Sequence, residues 1–265
     1  MSRSLSLLAA SAAVTGALAS IQACQNSSLT TSCSSSSSYS LSARASGSCC
    51  LESPGGLLLQ TQFWDAKPAI GPADSWGIHG LWPDNCDGTF SSSCDSSRAY
   101  DDIESLLEDA GKTDTLAYMK KYWQSNDQDV ETFWEHEWSK HGTCINTIEP
   151  SCYTNYKKGD EAVDFFGKVV SLFKELDTYS ALKDAGITPS DSKTYKLSDI
   201  EDAAGKLHNG KKVYFSCSSN EISAAYYYFH LRGNAINGEY VPVDTPEDSD
   251  CPSSGIKYPV KESSS

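Results

Sequence analysis

The sequence predicts an α+β fold, with a mainly antiparallel β-sheet flanked by helices in a single disulfide-rich domain. Aromatic and apolar runs with strand spacing mix irregularly with longer segments of helical periodicity, so the strict alternation of a parallel α/β fold is missing. The last two predicted strands are rich in tyrosine and phenylalanine and lie close together, as in a hairpin. Once a leader is removed, about 245 residues remain, which is enough to bury one sizeable core.

The predicted elements follow from apolar periodicity and turn signals. Strands are expected at residues 57–64, 75–82, 211–217 and 224–231. Helices are expected at residues 98–110, 115–124, 130–141, 162–176 and 197–207. The first helix is preceded by the capping sequence Asp95-Ser96-Ser97 and followed by Gly111, and Gly142 suits the end of the third.

The N-terminus has the composition of a secretory signal peptide. Arg3 precedes an apolar run, Leu5 to Ala19, that is too short to span a membrane and ends in small residues. We therefore assign residues 1–20 to a leader and 21–265 to one mature domain. We expect secretion, with retention in a vacuole as the open alternative. No later stretch is long and apolar enough for a membrane span, so no membrane partner is expected.

The ten cysteines all follow the leader, and an even count in an exported chain predicts a framework of five disulfides. There is no C-x-x-C pair, and Cys49 and Cys50 are adjacent, so the spacing argues against a zinc site. Cysteines bracket a serine-rich segment at residues 27–48, whose composition alone is typical of disorder. The tail from Ser263 is expected to fray. Asn26 begins an N-x-S sequon and is the expected glycosylation site.

Residues 133–142 concentrate polar and aromatic side chains in one short segment. Trp134 and Trp138, one helical turn apart, are expected to anchor it in the core. A helix turns 100° per residue, so five other side chains fall within about 140° of each other on a neighbouring face. In angular order they are His136, Lys140, Phe133, Glu137 and His141. Side chains of this kind pack poorly in a hydrophobic core, but they are suited to binding a phosphate and a base.

Residues 76–84 form a predicted strand with a further histidine, His79. Gly77 and Gly80 flank the histidine and are expected to leave room for a ligand close to the backbone. Pro83 is expected to end the strand, and binding residues often cluster at such an exit. The two exit residues are Trp82 and Asp84.

Two histidines from separate elements suit acid–base chemistry, because imidazole titrates near neutrality. Internal RNA cleavage needs such a pair. A base takes the proton of the 2′-hydroxyl, the oxygen attacks the adjacent phosphorus, and an acid protonates the departing 5′-oxygen. Each proton transfer typically contributes about 10²–10⁴ in rate. The nucleophile belongs to the substrate, so we expect no metal and no cofactor, and Lys140 is available to neutralise charge on the phosphate.

The two segments resemble the two active-site motifs of the T2 family of acid ribonucleases. The patterns H-G-L-W-P at residues 79–83 and E-x-x-K-H-G at residues 137–142 are both unbroken and stand in the expected order. The cysteine layout, with its adjacent pair, resembles the secreted fungal members. The similarity extends over essentially the whole mature chain, which the resemblance identifies as a T2-like catalytic domain.

The resemblance implies a role for each matched side chain. His141 would be the general base on the 2′-hydroxyl, and His79 the general acid for the 5′-oxygen. His136 would hold the phosphate, while Glu137 and Lys140 would stabilise the five-coordinate phosphorane. The family also hydrolyses the 2′,3′-cyclic product in a second, slower step in which the two catalytic histidines exchange roles.

The resemblance also places the bases of the substrate. Trp82 and Asp84 match residues of the first base pocket, by stacking and hydrogen bonding respectively. Family members often carry a tyrosine near the position of Phe90. The phenylalanine ring can still stack on a base, but it lacks the tyrosine hydroxyl and its hydrogen bond, so base preference is expected to be low. Phe133 is the expected platform for the second base, and such stacking is typically worth about 1–3 kcal/mol per base.

A disulfide pattern comes with the resemblance and could not be chosen from the spacing. It joins the end of the catalytic helix to the loop that follows the first motif. The implied pairs are Cys24–Cys50, Cys33–Cys86, Cys49–Cys152, Cys94–Cys144 and Cys217–Cys251.

Other interpretations of the histidines are weaker. His136 and Glu137 open an H-E-x-x-H zinc motif, but His141 comes one residue too late. It lies about 140° around the helix from His136, where a shared metal needs about 40°. His208 and His230 are expected to be structural. A secreted binding or toxic protein that keeps this fold without catalysis is the rival class, and the intact histidines argue against it.

The net charge of −14 is unusual for a protein that binds a polyanion. Loss of Arg3 with the leader makes it more negative still, and long-range repulsion should slow RNA binding at neutral pH. Below about pH 5 carboxylates begin to protonate and histidines are charged, so the repulsion falls. We therefore expect a monomeric, secreted endoribonuclease that cleaves single-stranded RNA with an acid pH optimum.

Overall fold

The chain folds into a mainly antiparallel sheet with helices packed against it. We describe it from a computed structural model that covers residues 19–24, 29–34, 49–126 and 129–261. The strands are β1 Ser20–Ile21, β2 Leu57–Phe63, β3 Gly77–Asp84, β4 Tyr153–Thr154, β5 Ser190–Lys196, β6 Tyr214–Ser218, β7 Glu221–Arg232, β8 Glu239–Pro242 and β9 Ser254–Tyr258. The helices are α1 Ile103–Asp109, α2 Thr113–Tyr122, α3 Val130–Lys140, α4 Asp160–Glu175, α5 Thr178–Asp184 and α6 Leu197–Gly205.

The long strand β7 organises the sheet. In the described chain the order is β3-β2-β7-β9-β5, and β6 and β8 also pair with β7. Every pairing is antiparallel except the short contact of β7 with β9. Strands β6 and β7 form the predicted hairpin, through Ser219 and Asn220 at φ 50° and 65°. Positive φ at both positions is what a two-residue hairpin turn with the right twist requires. The predicted α+β class is confirmed.

The core lies between the sheet and helices α1 to α4. Trp123, Trp134 and Trp138 are buried there, as predicted for the last two. Polar side chains of β2 also face inwards, and their hydrogen bonds offset the cost of burial. Gln62 Nε2–H donates to the Leu176 carbonyl at 2.9 Å, and the Thr178 hydroxyl donates to Gln62 Oε1 at 2.6 Å. These bonds fix β2 to the start of α5.

The strand that carries the first motif begins and ends two residues later than predicted. The sequence predicted that Pro83 would end it, but β3 continues through Pro83 to Asp84, where Leu58 and Leu57 of β2 are the partners. Proline is tolerated because β3 is the last strand of the sheet in the described residues, and proline can occupy an edge strand without costing a ladder hydrogen bond. Trp82 and Asp84 therefore lie within the strand and not on the loop that follows it.

The predicted cap signals at two helix ends act differently from expectation. The first helix begins at Ile103, because the side chain of Asp95 caps a separate 3₁₀ turn, Ser96–Arg98. Gly111, at φ +69°, follows α1 as predicted. Gly142 is not a left-handed cap: it opens a second 3₁₀ turn, Gly142–Cys144. Glycine is required there because a Cβ would collide with the indole of Trp138.

Several elements had no counterpart among the predictions. Strand β5 is mostly polar and exposed, so it shows no apolar alternation, and β1, β4, β8 and β9 are short. Helix α5 has only 7 residues, and Asp177 caps it by accepting a hydrogen bond from the Ser180 amide. Short polar elements of this kind form because they pair with or pack on an existing sheet, which local sequence does not reveal.

Five disulfides link the described cysteines, in the same pairs that the resemblance implies: Cys24–Cys50, Cys33–Cys86, Cys49–Cys152, Cys94–Cys144 and Cys217–Cys251. Most of the leader, the Asn26 sequon, most of the serine-rich segment and the tail from Ser263 lie outside the described residues. Within the part of the chain that the structure covers, no helix is both long and apolar enough to cross a membrane.

Gly167 offers a test of the helical framework. It lies inside α4, and a methyl group there would meet nothing within 4 Å. We expect Gly167→Ala to raise the free energy of unfolding by about 0.5–1 kcal/mol, because alanine loses less backbone entropy on folding. Gly111→Ala is the matched control: the space is also open, but φ is +69°, so it should destabilise by about 1–2 kcal/mol. Urea unfolding of the disulfide-intact proteins measures both, and a destabilised Gly167→Ala would contradict the packing of α4.

Candidate active site

A β-bulge directs His79 towards the site. The register of β3 against β2 shifts by one residue, which leaves His79 without a Cα partner. Bulges of this kind turn side chains out of simple alternation and are common beside active sites. As a result Ile78 and Leu81, three residues apart, both point into the core. His79 and Trp82, also three apart, meet on the other face with ring centroids 4.6 Å apart.

Helix α3 supplies the other half of the site. Asp129 caps its first turn, and Trp134 Nε1–H donates to the Trp123 carbonyl at 2.9 Å, which fixes the helix on the core. As predicted, the tryptophans anchor one side while the polar stripe faces β3. His136 is exposed on this stripe. His141 follows the last helical residue, and only 6% of its surface is exposed.

The carboxylate of Glu137 connects the two motifs. Its Oε1 lies 3.4 Å from His79 Nε2, and its Oε2 accepts a hydrogen bond from Trp82 Nε1–H at 2.9 Å. The indole of Trp82 in turn stacks on the His141 ring, with centroids 4.7 Å apart and planes 16° from parallel. The two histidines therefore flank one indole–carboxylate pair. These contacts join side chains that are 55 to 59 residues apart in the sequence.

Gly80 is needed for this arrangement. The sequence predicted space for a ligand beside it, but the Glu137 carboxylate fills that space. A Cβ on residue 80 would collide with Glu137 Oε2 and would also crowd Trp82 Nε1, at 3.1 Å. The glycine of the first motif therefore makes room for the acid of the second.

The two imidazoles differ in how they are placed around the Glu137 carboxylate. Burial, together with the charges of Lys140, His79 and His136, lowers the pKa of His141 to about 4, although Glu137 opposes the shift. His79 is the ring in direct contact with the carboxylate, through its Nε2. Burial works against the charge of Glu137, but the hydrogen bonds and charges of His79, His141 and Trp82 outweigh it and hold the pKa of that carboxyl below its usual value.

Each imidazole also has a buried nitrogen without a hydrogen-bond partner among the described residues. In His79 this atom is Nδ1, and in His141 it is Nε2. Buried polar groups in folded proteins are nearly always paired, and the exceptions are often functional. The buried His208 also leaves its Nδ1 without a partner, while its Nε2 lies 2.9 Å from the Tyr228 carbonyl, so the unpaired atoms alone do not distinguish the site histidines from a structural one.

A cleft of about 540 Å³ opens next to His79. Its walls include His136, Glu137 and two phenyl rings. Phe63 stacks on the His79 ring with centroids 3.8 Å apart, and Phe133 lies 5.8 Å from the same ring. Phe133 is only 7% exposed, but it lines the cleft as predicted. Phe63 was missed, since its approach to His79 depends on the pairing register of β2 with β3.

The far side of the cleft is polar. The segment after α2, residues 124–126, lines it together with Asp65 and Ser223. These residues were not predicted as site residues, because they are ordinary loop residues in the sequence. They give the cleft amide, hydroxyl and carboxylate groups opposite the phenyl rings.

The residues assigned to the first base lie where β3 ends. Asp84 and Phe90 pair through a β-bridge across the turn between them, and the Phe90 ring is 64% exposed. Burial and the nearby charge of Glu247 raise the pKa of Asp84 to about 6. Lys140 is partly exposed, and its backbone carbonyl accepts a hydrogen bond from the Ser93 amide.

No set of three or more histidine, cysteine or acidic side chains in the described ranges is arranged to hold a metal ion. The zinc-hydrolase alternative also fails on geometry. Glu137, which would act as the base in such an enzyme, is instead bound by His79 and Trp82.

Comparison with known proteins agrees with this geometry. The profile of the Ribonuclease T2 family matches residues 55–238, which include both histidine motifs. The chain belongs to the ribonuclease T2 family. It is a T2-type endoribonuclease that acts on RNA, which decides against the non-catalytic alternative.

Individual T2 ribonucleases are similar over most of their length. Ribonuclease M of Aspergillus phoenicis is 58% identical over 235 residues, 88% of this chain and 98% of the relative. Ribonuclease T2 of Aspergillus oryzae is 56% identical over 216 residues, 82% of this chain and 78% of the relative. The crystal structure of Actibind, a T2 ribonuclease, superimposes with a TM-score of 0.85 at 55% identity, covering 92% of this chain and 100% of the other.

Gly80→Ala tests the contact between the motifs. The methyl group should displace Glu137 and Trp82 and lower kcat on RNA by about 10²-fold, the cost of a displacement of about 1 Å in an active site. Gly77→Ala is the matched control in the same strand, since its Cβ would lie 3.5 Å from the nearest atom, the Tyr122 carbonyl oxygen. Its kcat should match the parent. Equal kcat values for the two folded variants would show that the Glu137 position does not matter.

Proposed function

We propose that this T2 ribonuclease cleaves single-stranded RNA by transphosphorylation, with His141 as the general base and His79 as the general acid. The observation that carries the proposal is the placement of the two rings on either side of the Glu137–Trp82 pair. Burial keeps His141 neutral at mildly acid pH, so it can accept the 2′-hydroxyl proton. His79, on the other side of the pair, is placed to donate a proton to the departing 5′-oxygen.

The bonds and charges balance without a cofactor. The 2′-oxygen forms a bond to phosphorus as the bond to the 5′-oxygen breaks, giving a 2′,3′-cyclic phosphate and a 5′-hydroxyl. In the slower second step His79 accepts a proton from water and His141 returns one to the 2′-oxygen, which leaves a 3′-phosphate. Because the first nucleophile is on the substrate and water supplies the second, neither step requires a metal.

We propose that Glu137 positions the catalytic histidines and does not stabilise the phosphorane. It is 1% exposed, its oxygens are engaged by His79 and Trp82, and it is ionised at mildly acid pH. An ionised carboxylate repels a phosphorane that carries negative charge. Lys140 and the exposed His136 are left to stabilise that charge, and Glu137 orients His79.

Base contacts in this proposal are mostly stacking contacts, which explains the low base specificity we propose. The first base lies by Trp82, Asp84 and Phe90, and the second enters the cleft beside Phe133. Stacking accepts every base, since each has a π-face. Asp84 is the polar contact of the first site, and it offers an O–H donor only below its pKa of about 6.

The framework of five disulfides supports an oxidising compartment. We therefore propose that the enzyme is secreted after loss of its leader and acts as a glycosylated monomer. Intact mass of the secreted protein, before and after glycosidase treatment, tests the leader and the glycan together.

The histidine roles can be tested by substitution. His79→Phe and His141→Phe should each reduce RNA cleavage to background while the fold is kept, and His230→Phe, in β7, should retain parental activity. Dinucleotide substrates with and without a 2′-hydroxyl, assayed in chelator, identify the chemistry: only the ribose form should react, through a 2′,3′-cyclic phosphate. Near-parental turnover by either active-site variant, or cleavage of the deoxy substrate, would refute the proposed roles.

The pH dependence tests the state of His141. A base must be unprotonated, so kcat/KM should fall about tenfold per pH unit once the pH drops below the His141 pKa of about 4. An ordinary histidine would place this acid limb near pH 6.5. Circular dichroism at each pH separates loss of activity from loss of the fold. An acid limb above pH 6 in the folded enzyme would contradict the buried, neutral base.

A further inference from the structure

Residues 93–98, here called the strap, cross the end of the catalytic helix α3. The amide of Ser93 donates to the Lys140 carbonyl at 2.9 Å. Cys94 forms a disulfide with Cys144. The strap therefore fixes the chain on both sides of His141, directly before it and three residues after it.

Arg98, at the end of the strap, makes the most extensive contacts. It is 4% exposed, and its Nη2–H donates to the Thr143 carbonyl at 2.6 Å. Its own carbonyl accepts a hydrogen bond from Trp138 Nε1–H at 2.5 Å, and its guanidinium lies 5.8 Å from the centre of the same indole. Asp95 pairs with Nε at 3.0 Å and holds the side chain in this direction.

We infer that Arg98 is a positioning residue that sets the place of the His141 ring. This inference rests on the proposed role of His141 as the general base. Beyond Lys140 the α-helical hydrogen bonds give way to the short 3₁₀ turn Gly142–Cys144. Arg98 and the strap add contacts from outside this turn: they bind the carbonyls of Lys140 and Thr143 and fix the peptide segment between them.

Stability alone does not account for Arg98. Its Nη1 is buried without a hydrogen-bond partner among the described residues. A buried guanidinium with an unmet donor is costly, so this arrangement is not the best one for stability alone. A catalytic base, in contrast, must be held to within a fraction of an ångström. The guanidinium of Arg98 provides this precision by holding the Thr143 carbonyl, two residues after His141.

Three variants test the inference. Arg98→Met removes the donors and the charge, and Arg98→Lys keeps the charge without the fork. Arg232→Met is the control. Arg232 is the last residue of β7 and pairs with the surface residue Glu239, away from the strap. For each variant kcat, KM and the acid limb of kcat/KM are measured on a ribodinucleotide. The enzyme concentration used for kcat is that of the folded fraction of the protein.

We expect Arg98→Met to lower kcat by about 10–100-fold with KM within about twofold of the parent, because the base is misplaced while the substrate contacts are kept. Its acid limb should move up from about pH 4 towards 6.5, since a loosened His141 ring is better solvated. Arg98→Lys should give a smaller loss of kcat, and Arg232→Met none.

Parental kcat and an unmoved acid limb in folded Arg98→Met would overturn the inference, even if the variant were less stable. Should Arg98→Met not fold, Arg98→Lys decides: reduced kcat at unchanged KM supports a positioning role, and parental kcat rejects it. The two proposals fail separately. An inactive His141→Phe beside fully active Arg98 variants leaves the proposed function standing without the inference, whereas an active His141→Phe removes the proposed function itself.

Discussion

The site depends on one buried negative charge, the carboxylate of Glu137. A carboxylate this deep in a protein is unfavourable unless donors and cations surround it. Trp82 provides a donor, His79 a neighbouring imidazole, and Gly80 the space. Helix α3 has to be held rigidly to bring the acid to this point, which explains the buried tryptophans on its other side. His79 and Trp82 are both held in place by their contacts with this single charge.

In the proposed mechanism, with His141 as the base, two separate effects favour activity in acid. The first is global: a net charge of −14 repels RNA until carboxylates begin to protonate. The second is local: burial keeps the His141 base neutral at a pH where an ordinary histidine would already be charged. Asp84 adds to the first effect within the site, because its pKa of about 6 leaves it uncharged in acid, next to a bound phosphodiester. Loss of surface charge and retention of a working base thus occur over the same pH range.

The chemistry of the site was more predictable from sequence than its geometry. Helical periodicity was enough to place the α3 stripe and to anchor it by Trp134 and Trp138, since both follow from local spacing. The bulge at His79 depends on the register of β3 against β2, and alternation alone would have put Trp82 on the wrong face. The contact of Phe63 with His79 was missed for the same reason. A glycine also cannot show whether a ligand or a neighbouring carboxylate needs its space, as Gly80 demonstrates.

The location of β3 has a consequence for the behaviour of the protein in solution. Within the described chain β3 is the last strand of its sheet, and an open strand edge can recruit a strand from another molecule. Its backbone is a poor template for such pairing, because the bulge at His79 breaks the repeat and Pro83 lacks an amide hydrogen. The irregularities that shape the active site therefore also make edge-to-edge aggregation of the protein less favourable.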